Sequence, residues 1–577
     1  VEFACRGKSL AEGEAQGELV HAGVALSFWG GVDPQTGAVI DQHHPLRGEC
    51  IAGRVLAIPS GRGSCTGSGV LLELILNGHA PAAIVVCERE EILTLGANVA
   101  ELMFRQSIPV LRIEREMFDR LGEFRYAWVG ADRLHLFDEP PDRGWQPIIS
   151  AAATPGDRES VRLDPVDRAY LSGEHGQAAE FAMRLLVKMA ALQEAEDYID
   201  VSKVHVDGCI YTGPASLRFA QWLVDRQARV RVPTTLNSIS VDKRQWRAQG
   251  VGEDFGIPAT ELAEAYVAMG AEPSFTCAPY LLDGAPAFGE QVGWAESNAV
   301  VYANSVLGAR TMKYPDFLDI CIALTGRAPR AGCHLDAGRR ATFIIEAEMP
   351  EGADDAFWPL LGYCCGSVSG SEIPLICGLE TSAAGPDELK AFGAAFATVA
   401  AAPMFHIAGI TPEAGVAQAQ SLSPERRLSI GIDHLRNAWA ELNNAAAPDV
   451  GLVSLGSPHF SVSECARLAE LVKGRARSPN VAVVVTCGRA VYEAAARAGH
   501  LDAAESFGIK FVTDTCWCML AEPLVPPSVK TLMTNSGKYA HYAPGLVGRS
   551  VRFGSLASCI DAACSGKAPQ QPPPWLL

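Results

Sequence analysis

The segment Pro59–Leu74, PSGRGSCTGSGVLLEL, concentrates groups that could do chemistry. Its glycines, hydroxyls and one thiol lie between an apolar run, Ile51–Ile58, and a second run that starts at Val70. Glycine alone tolerates the left-handed and close-approach backbone of a tight turn, so the pattern predicts strand, turn and helix start. Such a turn offers backbone N–H groups, Arg62 and the hydroxyls of Ser60, Ser64, Thr66 and Ser68 at a helix N-terminus. It could hold an anionic substrate beside one reactive oxygen. No Lys-Ser/Thr pair follows the glycines, which excludes a Walker-type phosphate loop. The competing reading is a polar turn without chemistry.

Two cysteines occupy loop-like positions. Cys277 lies in Thr276–Tyr280 (TCAPY), and Cys516 lies in Thr513–Trp517 (TDTCW), directly after an apolar strand at Ile509–Val512. Neither forms a CxxC knuckle, and the CxC pair Cys516–Cys518 has no His-rich partner segment at zinc-finger spacing. Isolated thiols from distant strand ends suit a cluster with an open coordination position better than a closed zinc site. The competing reading is inert buried thiols. Placed polar groups recur in Pro233–Asp242, Gly293–Lys313, Gly456–Ser461 and Asn535–Pro544. A cationic set such as Arg62, Arg310 and Lys538 could bind a carboxylate, with arginine in a bidentate fashion. For any one of these residues, a solvated charge or a satisfied core hydrogen bond competes.

These groups need a scaffold, and 577 residues imply two to four domains. The net charge of −18, without marked Lys/Arg clusters, argues against nucleic acid or an anionic membrane surface as partner. The opening Val1–Gly17 lacks a signal-peptide core. Ala391–Ile410 lacks charged residues but contains Thr398, Pro403 and His406, which predicts a buried helix followed by a strand instead of a span. A soluble, cytoplasmic chain is expected. Its 17 cysteines, an odd number, are expected to be reduced and mostly buried, Cys87 and Cys321 among them. Residues 1–137 read as a small β/α module around the Gly/Ser loop. Residues 138–164, rich in Pro, Asp and Gly, read as a linker. Residues 165–577 alternate apolar runs with helices, which predicts parallel sheets carrying ligand groups at strand ends.

The motifs PSGRGSCTGS, HVDGCIYTG, VPTTLNSISVD, TCAPY, WAESNAVVYANSVLGART, HIAGITPEA, GSPHFS, TDTCW and MTNSGKYAHYAPG occur in that order. Together they resemble aconitase X, the divergent branch of the aconitase superfamily, in its single-chain form with the swivel domain fused N-terminally. The resemblance implies an aconitase-like α/β fold, a swivelling domain on a multi-lobed body with parallel sheets. It also implies an iron–sulfur hydro-lyase. For the fused bacterial form the implied reaction is loss of water from cis-3-hydroxy-L-proline, giving Δ1-pyrroline-2-carboxylate. Dehydration of mevalonate 5-phosphate, as in the two-subunit archaeal form, is the alternative within the superfamily. A non-catalytic metal-binding protein is the alternative outside it.

Residue by residue, GRGSCTGS is similar to the superfamily's swivel loop, which implies Ser64 as base, with Ser68 the second choice. Gly208, Cys209, Ile210, Asn237 and Ser238 are the implied substrate contacts, and Arg62 and Ser68 of the loop are expected to join them. Glu296, Ser297 and Lys538 join them by placement. Cys277 and Cys516 fall where the family has two cluster cysteines. The two-subunit relatives carry Gly-Cys-Pro-His where this chain has Gly456-Ser457-Pro458-His459, so a third ligand must come from elsewhere. Cys364 is the expected third ligand, with Cys365, Cys487 and Cys518 as further candidates. A [2Fe–2S] cluster is expected over [4Fe–4S]. The expected partner is a small hydroxy amino acid, and the expected state is a monomer or small homo-oligomer.

Overall fold

The structure, a computed structural model, describes residues 2–141, 161–419 and 426–577. Of the expected linker, residues 142–160 lie outside the described residues. Two compact units form. One comprises Val1–Val201, Thr212–Val232 and Tyr314–Ala331, and the other comprises Ser202–Tyr211, Pro233–Lys313 and Gly332–Leu577.

The first unit contains an eight-stranded mixed sheet. Its four central neighbours, Glu14–His21, Val55–Ala57, Ala83–Val86 and Val110–Arg112, run parallel. Alternate residues of these strands (Leu19, Val55, Ala57, Val85 and Leu111) enter a core with Phe118, Leu121, Val129 and Leu134, as the period-2 geometry of a strand requires. The Gly/Ser loop joins strand Val55–Ala57 to helix Gly67–Asn77, so the expected strand–turn–helix is present. The helix starts at Gly67 and not at Val70, because the small residues form its first turn where it packs on helix Ile92–Phe104. A Cβ on Gly96 would lie 2.7 Å from Ser68 O, so bulk at this crossing would part the helices.

Arg327 ties the rest of that unit. Its guanidinium donates to Asp167 Oδ1 at 2.9 Å, Asp164 Oδ2 at 2.7 Å and Asp200 Oδ1 at 2.8 Å. Asp164 and Asp167 form the capping box of helix Pro165–Leu171. Asp200 ends the strand that pairs antiparallel with Arg327–Pro329. One buried cation thus fixes a helix start and a strand pair.

The second unit holds three parallel sheets. The smallest orders Thr234–Leu236, Val204–Val206 and Gly293–Trp294. A four-stranded sheet is built on Phe343–Ala347 and Pro374–Cys377. The largest orders Ile509–Thr513, Ala482–Cys487, Leu452–Phe460, Thr531–Thr534 and Ser550–Phe553. In the last, chain order reverses beside Leu452–Phe460, a topological switch point that opens a crevice at the carboxyl ends of the strands. The expected turn at Gly456–Ser461 is largely a continuation of that strand, with a register shift between Leu455 and Phe460. Gly456 sits at φ +96°, and a Cβ there would lie 2.1 Å from Thr486 O, so no other residue fits. Ser461 then caps helix Val462–Val472, whose buried Cys465, Leu468, Ala469 and Val472 follow a helical period. The uncharged stretch is helix Pro386–Val399 followed by strand His406–Ile407. Among the described residues no helix is long and apolar enough to cross a membrane.

Removing the cation while Asp167 stays buried leaves an uncompensated charge, which costs about 3–5 kcal/mol. Arg327→Met should therefore lower the first denaturant unfolding midpoint, and adding Asp167→Asn should restore part of it. His334 gives a pH signature. Burial, aided by Arg339 and Arg310, pushes its pKa from 6.5 down to about 3. The folded ring stays neutral while the unfolded ring protonates, so stability is lost as pH falls from 6.5 towards 3, by roughly 1.4 kcal/mol per unit at most. His334→Gln should flatten the acid limb of a melting-temperature profile across that window.

Candidate active site

In the first unit, Ser64 lies half-buried after Gly63, which sits at φ +75°. The Thr66 N–H approaches Ser64 Oγ at 3.3 Å, and Ser64 donates to Thr66 Oγ1 at 3.2 Å. The hydroxyl therefore stands at the start of helix Gly67–Asn77, where N–H groups and the helix dipole favour negative charge. Ser68 differs. It is fully buried, and its one hydroxyl hydrogen is shared between Cys65 O at 3.0 Å and Asp316 O at 3.3 Å, which fastens the helix. Arg62 is paired with the buried Asp41 at 3.1 Å, which neutralises the charge expected to stabilise an anion.

In the second unit, three thiols form a row. Cys516 stands between Cys277 and Cys518 and accepts a hydrogen bond from each. All three are buried. Those two S–H donors hold the Cys516 thiol well below its usual pKa despite burial, with help from Lys538. Burial, together with Cys516, pushes Cys277 upward. Burial disfavours the Lys538 charge, but Glu296 and the three cysteines outweigh it and hold the ammonium above its ordinary value. Lys538 Nζ lies 3.0 Å from Glu296 Oε1. Glu296 caps helix Ser297–Tyr302 through Ala299 N at 2.9 Å and accepts from Asn298. Asn298 also donates to Cys277 O at 3.0 Å, and Tyr280 donates to Asn298 Oδ1 at 2.8 Å.

Backbone bonds place the row. Thr276 N donates to Leu236 O at 3.1 Å, which hangs the Cys277 loop on strand Thr234–Leu236. Asp514, at φ +68°, receives Arg489 at 2.5 Å and Lys243 N at 3.2 Å, while Ile239 N donates to its carbonyl at 2.7 Å. His459 lies between the loops, 3.0 Å from Thr276 Oγ1 through Nδ1 and 2.8 Å from Thr515 O through Nε2. With both ring nitrogens engaged, His459 offers no fourth ligand for a closed zinc site. Buried soft thiols with an open position fit an iron–sulfur cluster.

Cys364 is not part of this row. It lies on helix Phe357–Ser369, its Sγ donating to His434 O at 3.5 Å on the neighbouring helix, and burial raises its pKa with Glu441 adding to the shift. Its helix faces other helices and its thiol is bonded to the His434 carbonyl, whereas Cys518 lies beside Cys516. Cys487 packs in the core of the largest sheet beside Cys465, and Cys365 is fully buried next to Cys364. Cys87 is only half-buried.

Gly208, Cys209 and Ile210 follow strand Val204–Val206, and Asn237 and Ser238 follow its parallel neighbour, so these five residues meet at one sheet end. Cys209 Sγ donates to Asn237 O at 3.4 Å. The Asn237 amide donates to Asp207 and accepts from Ser238 N at 2.7 Å, so Asn237 shapes the turn. Ser297 is buried in the first turn of its helix. Arg310 pairs with Asp336 and His334 O, away from the row. Asn298 and His459 are among the polar groups of the Gly293–Lys313 and Gly456–Ser461 segments, but Thr276 and the bridging role of His459 are not foreseen from the sequence. Thr276 is adjacent to Cys277, whereas the partners of His459 lie far away in the chain.

Four family descriptions match in chain order: Aconitase X swivel domain over residues 4–136, first domain over 160–337, second domain over 341–440 and third domain over 450–565. The chain is 57% identical over 572 residues to the cis-3-hydroxy-L-proline dehydratase of Pseudomonas aeruginosa, covering 99% of this chain and 98% of that one. It is 35% identical over 392 residues to the phosphomevalonate dehydratase large subunit of Methanothermobacter thermautotrophicus, covering 67% of this chain and 95% of that one. Among solved structures, holo-form aconitase X of Thermococcus kodakaraensis matches with TM-score 0.63 at 29% identity, covering 71% of this chain and all of that one. A Gly/Ser loop at a helix start, a buried thiol row and four consecutive domain matches place the chain in the aconitase X family.

Proposed function

We propose that the chain is a hydro-lyase that removes water from cis-3-hydroxy-L-proline. The observation that carries the reading is 57% identity along the whole chain to a relative of that activity, against 35% to the phosphomevalonate dehydratase large subunit. The C2 proton and the 3-hydroxyl leave as water, and the resulting enamine tautomerises to Δ1-pyrroline-2-carboxylate. Ser64 Oγ is the base that takes the C2 proton. An alkoxide is costly in water, and the Thr66 N–H and the helix N-terminus lower that cost locally. Arg62, already paired with Asp41, orders the loop.

Cys277, Cys516 and Cys518 would hold the cluster. Bound there, an iron–sulfur cluster supplies a Lewis-acidic iron to the departing hydroxyl. We favour [2Fe–2S], because Ser457 stands where the two-subunit relatives carry a cysteine and the third thiolate is displaced from that position. Lys538 stays protonated and balances the anionic sulfurs, and Glu296 keeps it in place. Asp207–Ile210 and Ser238 line the sheet end that orients the amino acid. A cytoplasmic monomer or small homo-oligomer belongs to the same reading.

The reaction is tested by following pyrroline formation from cis-3-hydroxy-L-proline with anaerobically purified protein, assayed for iron and sulfide. Turnover should track iron and vanish on chelation, and iron without turnover would move the substrate elsewhere. Ser64→Ala should keep its iron and lose about 10²–10⁴-fold in kcat, the usual worth of a general base. An active variant removes Ser64 from the mechanism. Cys516→Ala and Cys518→Ala should lose iron and turnover together, whereas Cys364→Ala should keep both. Iron loss in Cys364→Ala would overturn the revised ligand set.

A further inference from the structure

The loops that carry Cys277 and Cys516 lie far apart in sequence, and one side chain ties them. His459 is fully buried near the end of strand Leu452–Phe460. Its Nδ1 lies 3.0 Å from the hydroxyl of Thr276, the residue before Cys277. Its Nε2 lies 2.8 Å from the carbonyl of Thr515, the residue before Cys516. Its own backbone N–H reaches Cys277 Sγ at 3.4 Å. The His459 carbonyl is held in turn by Lys390 Nζ at 2.9 Å, and buried Lys390 is paired with Glu464 of the Ser461 capping box.

The polarity of these bonds follows from chemistry. A carbonyl only accepts, so Nε2 carries the hydrogen. With the Nε2 hydrogen spent on that carbonyl, Nδ1 faces the Thr276 hydroxyl as an acceptor, and the hydroxyl donates to it. Thr276 Oγ1 accepts from Ala278 N at 3.1 Å. Each group has one role, and the two loops therefore have one mutual register.

We infer that His459, as the Nε2–H tautomer, is a positioning residue that preorganises Cys277 and Cys516 in one row for the cluster. The inference rests on the reading of Cys277, Cys516 and Cys518 as ligands. Partners beyond the ligands commonly govern metal retention by about 10–100-fold. A ring that merely filled space would not have each nitrogen engaged by the residue before a cysteine.

The test compares full-length wild type, His459→Gln and His459→Leu, purified anaerobically. Glutamine keeps one N–H donor and one acceptor, whereas leucine keeps bulk alone. Two rates are read: iron loss to a chelator, and alkylation of Cys277 and Cys516 by iodoacetamide in the metal-stripped chain, followed by peptide mass spectrometry. The leucine variant should lose iron about tenfold faster or more and alkylate faster at both cysteines, and glutamine should recover much of the difference. Wild-type rates in His459→Leu, or equal defects in both variants, would overturn the inference. If His459→Leu does not fold, Thr276→Val, with Thr276→Ser as its rescue, removes the same bond and gives the same decision. If wild type holds no iron, the cluster reading fails, and the alkylation rates still decide whether His459 ties the two loops.

Discussion

Buried charge must be compensated, and the residues around the thiol row of the second unit are arranged to meet that requirement. An anion in a low-dielectric interior costs several kcal/mol unless donors and counter-charge surround it. Cys516 receives two S–H donors and faces Lys538. Lys538, buried in turn, needs Glu296, and Glu296 is fixed by capping a helix and by Asn298. Asn298 closes the circuit on the Cys277 carbonyl. Each buried polar group is satisfied by the next, so the circuit specifies one arrangement of loops that come from four distant parts of the chain.

The first unit follows the same logic with the sign reversed. Arg327 is a buried cation whose carboxylate partners set a helix start and a strand pair. The Gly/Ser loop, by contrast, depends on backbone geometry. Gly63 makes the turn, small residues let two helices close, and Ser68 fastens the helix by two carbonyl bonds. Ser64 is left as the half-buried hydroxyl beside the helix start. Two similar serines four residues apart thus have different chemistry, because one side chain points into the packed helix interface and the other does not.

The imidazole beside the thiol row has both nitrogens engaged in holding loops, so it adds no further ligand atom to the three sulfurs. The neighbouring sheet end, where Asp207–Ile210 meets Asn237 and Ser238, shows turns whose own hydrogen bonds are internally satisfied. Such turns are rigid before any ligand arrives, which favours orientation over induced fit.

Local signals were sufficient for much of this molecule. Glycine and proline punctuation and apolar periodicity mark the strand–turn–helix at Ser64, the parallel strands at Val481–Thr486 and Ile509–Val512, and the helix–strand reading of Ala391–Ile410, because these depend on neighbours within a few residues. The ordered motifs likewise identify the family and two cysteines of the row. The third cysteine was not decided there. The sequence points to Cys364 ahead of Cys518, but helix packing turns Cys364 towards His434 while the CxC turn brings Cys518 to Cys516. The roles of His459 and Asn298, the neutralisation of Arg62 by Asp41 and the burial of Ser68 are equally tertiary. Each is a contact between residues about 20 to 250 positions apart, and such contacts follow from how helices and sheets pack, which no local pattern encodes.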